Sequence, residues 1–165
     1  MQMLRALRLA LAITALPLIT SAAMAQSVAF GAMKADVSLP VEVAADNFSI
    51  NQSTGMAEFS GNVLIGQGEM KLSADQVVVE YAEGGESRIR NLRATGNVTL
   101  VNGPGAAEAQ EAVYEVSTGD ITLIGDVLLT QGDNVMSGER LTVNLANGTA
   151  QASGRVRTVL QPGSN

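Results

Sequence analysis

The sequence predicts an all-β chain: one stacked antiparallel sheet folded into an open, V-shaped roll. Three observations carry that prediction. A Gly-X-Val step recurs at Gly61-Asn62-Val63, Gly96-Asn97-Val98, Gly125-Asp126-Val127 and Gly154-Arg155-Val156, at spacings of 35, 29 and 29 residues. Gly55, Gly84, Gly119 and Gly148 keep the same beat, at 29, 35 and 29. The chain therefore reads as four units of 29 residues, the second with a six-residue insertion between Gly84 and Gly96. Each step also lies inside an apolar alternation of period two, the pattern of a strand with one buried face. Self-similarity at a fixed period marks an architecture in which each unit buries its apolar face on its neighbours.

Taken in order, residues 1–25 precede the fold. Arg5 and Arg8 give a positive start, Leu9 to Thr20 an apolar run, and Ala23-Met24-Ala25 a small-residue cleavage site. That is the layout of a cleavable secretory signal cut after Ala25, and the run is short for a membrane span. An uncleaved anchor is the rival reading; a lipid-modified cysteine is excluded because the chain has none. Residues 26–40, small and mixed and ending in Leu39-Pro40, read as a flexible N-terminal arm. The β-domain spans 41–162, and 163–165 form a tail.

Within the domain, Ala57, Phe59, Gly61, Val63 and Ile65 share one face, with Glu58, Ser60, Asn62 and Leu64 on the other. The next units repeat this with Leu92, Ala94, Gly96, Val98 and Leu100, then Ile121, Leu123, Gly125, Val127 and Leu129. The fourth has Ala150, Ala152, Gly154, Val156 and Thr158. The glycine takes the inward position every time. Glycine inside a strand marks a bend or bulge, so four in register predict a fold line across the sheet. Ser53-Thr54-Gly55, Glu83-Gly84-Gly85, Ser117-Thr118-Gly119 and Ala146-Asn147-Gly148 supply turns at one end of the strands. Gln67-Gly68, Asn102-Gly103 and Gln131-Gly132 supply them at the other.

After Arg5 and Arg8 leave with the signal, 16 acids face 8 bases, a formal charge of −8. An acidic chain without clustered Lys and Arg is not built for nucleic acid. With no cysteine, stability rests on sheet packing. With no histidine, the usual general base and imidazole metal sites are missing. No cofactor is expected.

The run from Glu58 through Phe59-Ser60-Gly61-Asn62-Val63 to Gln67-Gly68, continued by Ala74-Asp75-Gln76-Val77, closely resembles the hallmark of the OstA-like family of periplasmic lipopolysaccharide-transport proteins. Arg155-Val156-Arg157-Thr158-Val159-Leu160 is similar to that family's last strand. The resemblance covers roughly 40–162 and implies an open β-jellyroll that holds lipid A acyl chains. It also implies end-to-end joining with related domains, between an inner-membrane complex with a component C and an outer-membrane component D. The cleavable signal favours the soluble component of that system. Gln110 and Glu139 depart from the pattern, standing where the first rows carry Asp46 and Asp75.

On that footing the inward face is the candidate lipid site: Phe59, Val63, Ile65, Leu92, Val98, Leu100, Leu123, Val127 and Leu129. Alternation alone favours an ordinary packed core. Glycine in every unit and Ala150 and Ala152 in the last suggest two walls that do not meet at core density. Arg88, Arg90 and Arg93 cluster at the insertion as possible phosphate contacts, against a solvated strand face as the plainer reading. Val41, Val43, Val156 and Val159 mark the two sheet edges, candidate interfaces of an end-to-end oligomer. Asp46 and Asp75 read as solvating turns; no nucleophile–base constellation accompanies them, so no enzyme is predicted. A structural β-fibre protein with a packed interior is the alternative.

Overall fold

The computed structural model describes residues 33–51, 53–82 and 88–161. The signal segment, the first part of the arm, residue 52, residues 83–87 at the start of the insertion, and residues 162–165 lie outside them. Among the described residues, ten strands form a single antiparallel sheet. They are β1 (Glu42–Ala44), β2 (Asn47–Asn51), β3 (Met56–Gln67), β4 (Met70–Tyr81), β5 (Ile89–Asn102), β6 (Gly105–Glu115), β7 (Asp120–Gln131), β8 (Asn134–Asn144), β9 (Thr149–Ser153) and β10 (Arg157–Val159). β1 and β2 pair end by end along β3, and β9 and β10 along β8. The sheet therefore has eight rows: six long strands and, at each edge, one row broken in two. The first row precedes Gly55 and the last unit supplies one row rather than two.

The predicted fold line is present. Pairing of β3 with β4 steps from Ser60↔Gln76 to Val63↔Ala74, so Gly61 and Asn62 together oppose Asp75. This is a bulge, and it bends the strand. Gly61 has φ +79° and Asn62 φ +45°, two successive left-handed residues. Asn97, Asp126 and Arg155 repeat the second value within two degrees. Asn and Asp tolerate this region better than other L-residues, which explains three of the four. A Cβ on Gly61 would also stand 2.8 Å from Asp46 Oδ2. Glycine is thus demanded by both conformation and space.

The acids recurring at 29 residues belong to these bends, not to the turns. Asn62 Nδ2 donates to Asp46 Oδ2 at 2.7 Å, and Asn97 Nδ2 to Asp75 Oδ2 at 2.8 Å. In the third row the chemistry is exchanged: Gln110 Nε2 donates to Asp126 Oδ2 at 2.6 Å. In the fourth, Arg155 Nε and a terminal guanidinium nitrogen reach Glu139 Oε1 at 2.9 and 2.8 Å. The two departures at Gln110 and Glu139 are each matched by the residue they meet. A donor faces an acceptor at every bend.

Bending lays the sheet's two halves face to face around one core, in which Leu100, Ala107, Ile121 and Leu123 are fully buried. The β3–β4, β5–β6 and β7–β8 turns form one rim of the resulting mouth. The β6–β7 and β8–β9 turns form the other, together with the ends of β2 and β4 and the starts of β3 and β5. Tyr114, near the second rim, donates its hydroxyl to Gln67 Oε1 at the first, a contact that requires the closed geometry. Residues 33–39 differ from the flexible arm expected there. They run as a strap along the mouth, irregular over 33–36 and turning at Val37-Ser38, with Met33, Ala35 and Val37 turned inward and Lys34, Asp36 and Ser38 exposed. Ala35 N donates to Leu145 O at 2.9 Å on the second rim. Gln67 Nε2 donates to Val37 O at 3.0 Å and Leu39 O at 2.8 Å on the first.

Candidate functional site

The inward residues of the two halves form continuous apolar rows from one edge of the sheet to the other. One row runs Val43, Ile65, Leu72, Leu100, Ala107, Leu129, Met136, Thr158, each the paired neighbour of the next. A facing row runs Phe48, Phe59, Val77, Ala94, Ala112, Leu123, Leu141, Ala152. Period-two pleating places every one of these side chains on the same face, which is why alternation could identify them. Of the nine residues assigned to this face from sequence, eight are buried and Phe59 is half-buried. Those eight belong to one apolar cluster, and Phe59 packs against it.

The interior is tighter than the expected open groove. Val98 is 1% exposed and Leu100 0%. The large Tyr114 side chain fills space between the halves and the strap covers the mouth. Burial pushes the Tyr114 hydroxyl above its usual range, partly offset by its hydrogen bond to Gln67. Gln67 and Asn102 end successive odd strands on the first rim, and both amides are buried, at 1% and 3% exposure. Gln67 is fully used, whereas Asn102 Nδ2 has no hydrogen-bond partner.

The two ends of the roll differ. At the first, Phe48 and Ile50 point along the inner face yet are 56% and 59% exposed, because no further row covers them. The Phe48 and Phe59 rings stack at a tilt with centroids 4.7 Å apart. At the second, the same inward rows end in Ala150, Ala152 and Thr158. Val156 and Val159 are exposed at that edge, while Val41 and Val43 are half-buried at the other. Sequence reading missed Phe48 and Ile50, although Asn47-Phe48-Ser49-Ile50-Asn51 alternates as strictly as any strand here.

Arg93 is engaged on the outer face by Glu111, with Glu80 Oε1 at 4.0 Å. Those carboxylates compete with any phosphate. Arg88 and Arg90 are exposed at the start of β5. Among the described residues, no group of three or more acidic side chains is placed to hold a metal, and no helix is long and apolar enough to cross a membrane.

Comparison with known proteins agrees with this geometry. A family model described as "LptA/(LptD N-terminal domain) LPS transport protein" matches residues 42–149. The lipopolysaccharide export system protein LptA of Haemophilus influenzae is 31% identical over 149 residues, covering 84% of this chain and 86% of its own. LptA of Escherichia coli K12 is 29% identical over 154 residues, covering 87% and 83%. The crystal structure of LptH, the LptA homologous periplasmic component from Pseudomonas aeruginosa, superposes with a TM-score of 0.68 at 21% identity. That match covers 78% of this chain and 99% of LptH and shows the same fold.

Proposed function

Because the chain belongs to the LptA/(LptD N-terminal domain) family of lipopolysaccharide transport proteins, we propose that it is a periplasmic bridge that carries lipopolysaccharide from the inner to the outer membrane. It acts as a carrier and not as an enzyme, and the packed structural-fibre reading falls away with the family assignment. The observation that carries the proposal is the set of inward rows running from edge to edge, apolar throughout except for Thr158 at the last edge, with sheet edges at both ends. Acyl chains lie along those rows, contacting Phe59, Val63, Ile65, Leu92, Val98, Leu100, Leu123, Val127 and Leu129. Each buried methylene contributes about 0.8 kcal/mol, so a chain of ten gains about 8 kcal/mol. That gain works against the packing of the two halves as well as the hydrogen bonds at the mouth, contacts that the acyl chain replaces as it enters.

Eight rows at about 4.8 Å each give a roll on the order of 40 Å long, too short for one copy to join two membranes. Copies therefore continue one another, edge strand to edge strand, through Val41 and Val43 at one end and Val156 and Val159 at the other. Such a head-to-tail contact does not close and grows rods. The large Phe48 and Ile50 at the first end meet the small Ala150 and Ala152 of the next copy, which keeps the apolar rows continuous. The same edges receive a related roll of the inner-membrane component C and one of the outer-membrane, LptD-like component. Arg88 and Arg90 remain the phosphate contacts of this reading; Arg93 is committed to carboxylates. Residues 1–25 direct export and are removed after Ala25.

The test is direct. Mature protein is incubated with lipopolysaccharide, re-purified and assayed for bound lipid. Stoichiometric retention is the expected result, and none at saturating lipid rejects the carrier.

A further inference from the structure

The strap makes two kinds of contact with the mouth, and together they describe a ligand. Met33 and Val37 push apolar side chains inward, Met33 against Gly105 and Val37 against Gly119. Behind them the backbone carbonyls of Val37 and Leu39 accept both hydrogens of the buried Gln67 amide. An apolar tail followed by a carbonyl is also the chemistry of a fatty acyl group. One turn farther along the same rim, Asn102 offers an equivalent amide on the inward face, shared with Val98 and Leu100. Its Nδ2 donor is buried without an acceptor. A buried donor left unsatisfied is costly and rare in native proteins, so it calls for a partner.

We propose that the first rim is a binding site for acyl carbonyl oxygens, with Gln67 and Asn102 as donors, and that the Met33–Leu39 strap occupies it as a stand-in for lipid until lipid displaces it. The inference rests on the lipid-carrier reading. It adds a polar anchor to an otherwise apolar interior, and a gate. Lipid entering from the side through the mouth takes over the Gln67 hydrogens from the strap and supplies Asn102 with the acceptor it lacks. The released strap leaves the mouth open along its length.

The chain has no cysteine, so one engineered disulfide reports cleanly. A Cβ at Gly119 would lie 3.7 Å from Val37 Cβ, the separation a disulfide needs. Val37→Cys with Gly119→Cys is compared oxidised and reduced, the reduced form controlling for the substitution at φ +75°. Where that pair does not fold, Met33→Cys with Gly105→Cys replaces it. Oxidation should lower lipopolysaccharide uptake at least about tenfold, and reductant should restore it. Equal uptake in both states overturns the gate. Failure of the unmodified protein to bind lipopolysaccharide removes the carrier reading instead. Asn102→Leu separates anchor from scaffold: losing an orphan donor should leave the melting temperature unchanged or higher, yet weaken lipopolysaccharide binding about 3- to 10-fold. Undiminished affinity in that variant overturns the carbonyl site.

Discussion

Gly96→Ala tests the bend chemistry where the sheet is flanked on both sides. Gly96 has φ +78°, and a left-handed non-glycine residue costs about 1–2 kcal/mol. The new Cβ would also stand 3.0 Å from both Cβ and Cγ of Asp75. Asp75 must then move off Asn97 Nδ2, now 2.8 Å away, which costs about 1 kcal/mol more. The sum is about 2–3 kcal/mol, a fall of roughly 5–10 °C in melting temperature for a domain of this size. Gly66→Ala is the control, because Gly66 lacks a positive φ and a Cβ there meets nothing within 4 Å. It should stay within about 0.5 kcal/mol of the parent. Both variants are melted by circular dichroism. Combining Gly96→Ala with Asp75→Ala should cost less than the sum of the two single variants. Destabilisation by Gly96→Ala no greater than that by Gly66→Ala would refute this account of the bend.

Gln110→Asp should lower the urea midpoint by setting two carboxylates where Gln110 Nε2 now donates to Asp126 at 2.6 Å, and adding Asp126→Asn should restore it. Tyr114→Phe strands the buried Gln67 Oε1 and should cost about 1–3 kcal/mol in chemical denaturation. The raised folded pKa of Tyr114, caused by burial, sits above the unfolded value of 10.0, so its stability contribution is complete below that pH and lost as pH rises through the folded pKa. The parent should therefore weaken above pH 10 more steeply than Tyr114→Phe, as denaturation midpoints across that range will show. Val159→Pro removes a donor from β10, whose Val159 pairs Val135, and should shorten rods in light scattering while leaving the melting temperature nearly unchanged.

The strand faces were legible because pleating ties face to sequence parity: Leu92, Val98 and Leu100 could only share a side. The bends were legible because glycine inside a strand has few uses. The partners at each bend were not, since Asp46 meets Asn62 across 16 residues and Asp75 meets Asn97 across 22, the extra six being the insertion. Only the row-to-row pairing reveals that Gln110 and Glu139 are matched by Asp126 and Arg155. The closed mouth left no local trace either. Tyr114 reaches Gln67 across the fold, and the strap binds through its backbone carbonyls, which every sequence possesses. Composition made residues 26–40 look unstructured, yet the inward Met33, Ala35 and Val37 carry the same alternation as the strands.

The central claim is that lipid lies inside the folded sheet, between its two halves. A photo-crosslinking residue placed singly at Val63, Val98 or Val127, and in parallel at the outward Glu58 or Asn62, tests this in living cells or with purified lipopolysaccharide. Lipid held between the halves should give lipopolysaccharide adducts from the three inward positions and none above background from the two outward ones, each variant melting cooperatively. Equal capture from both faces would contradict it.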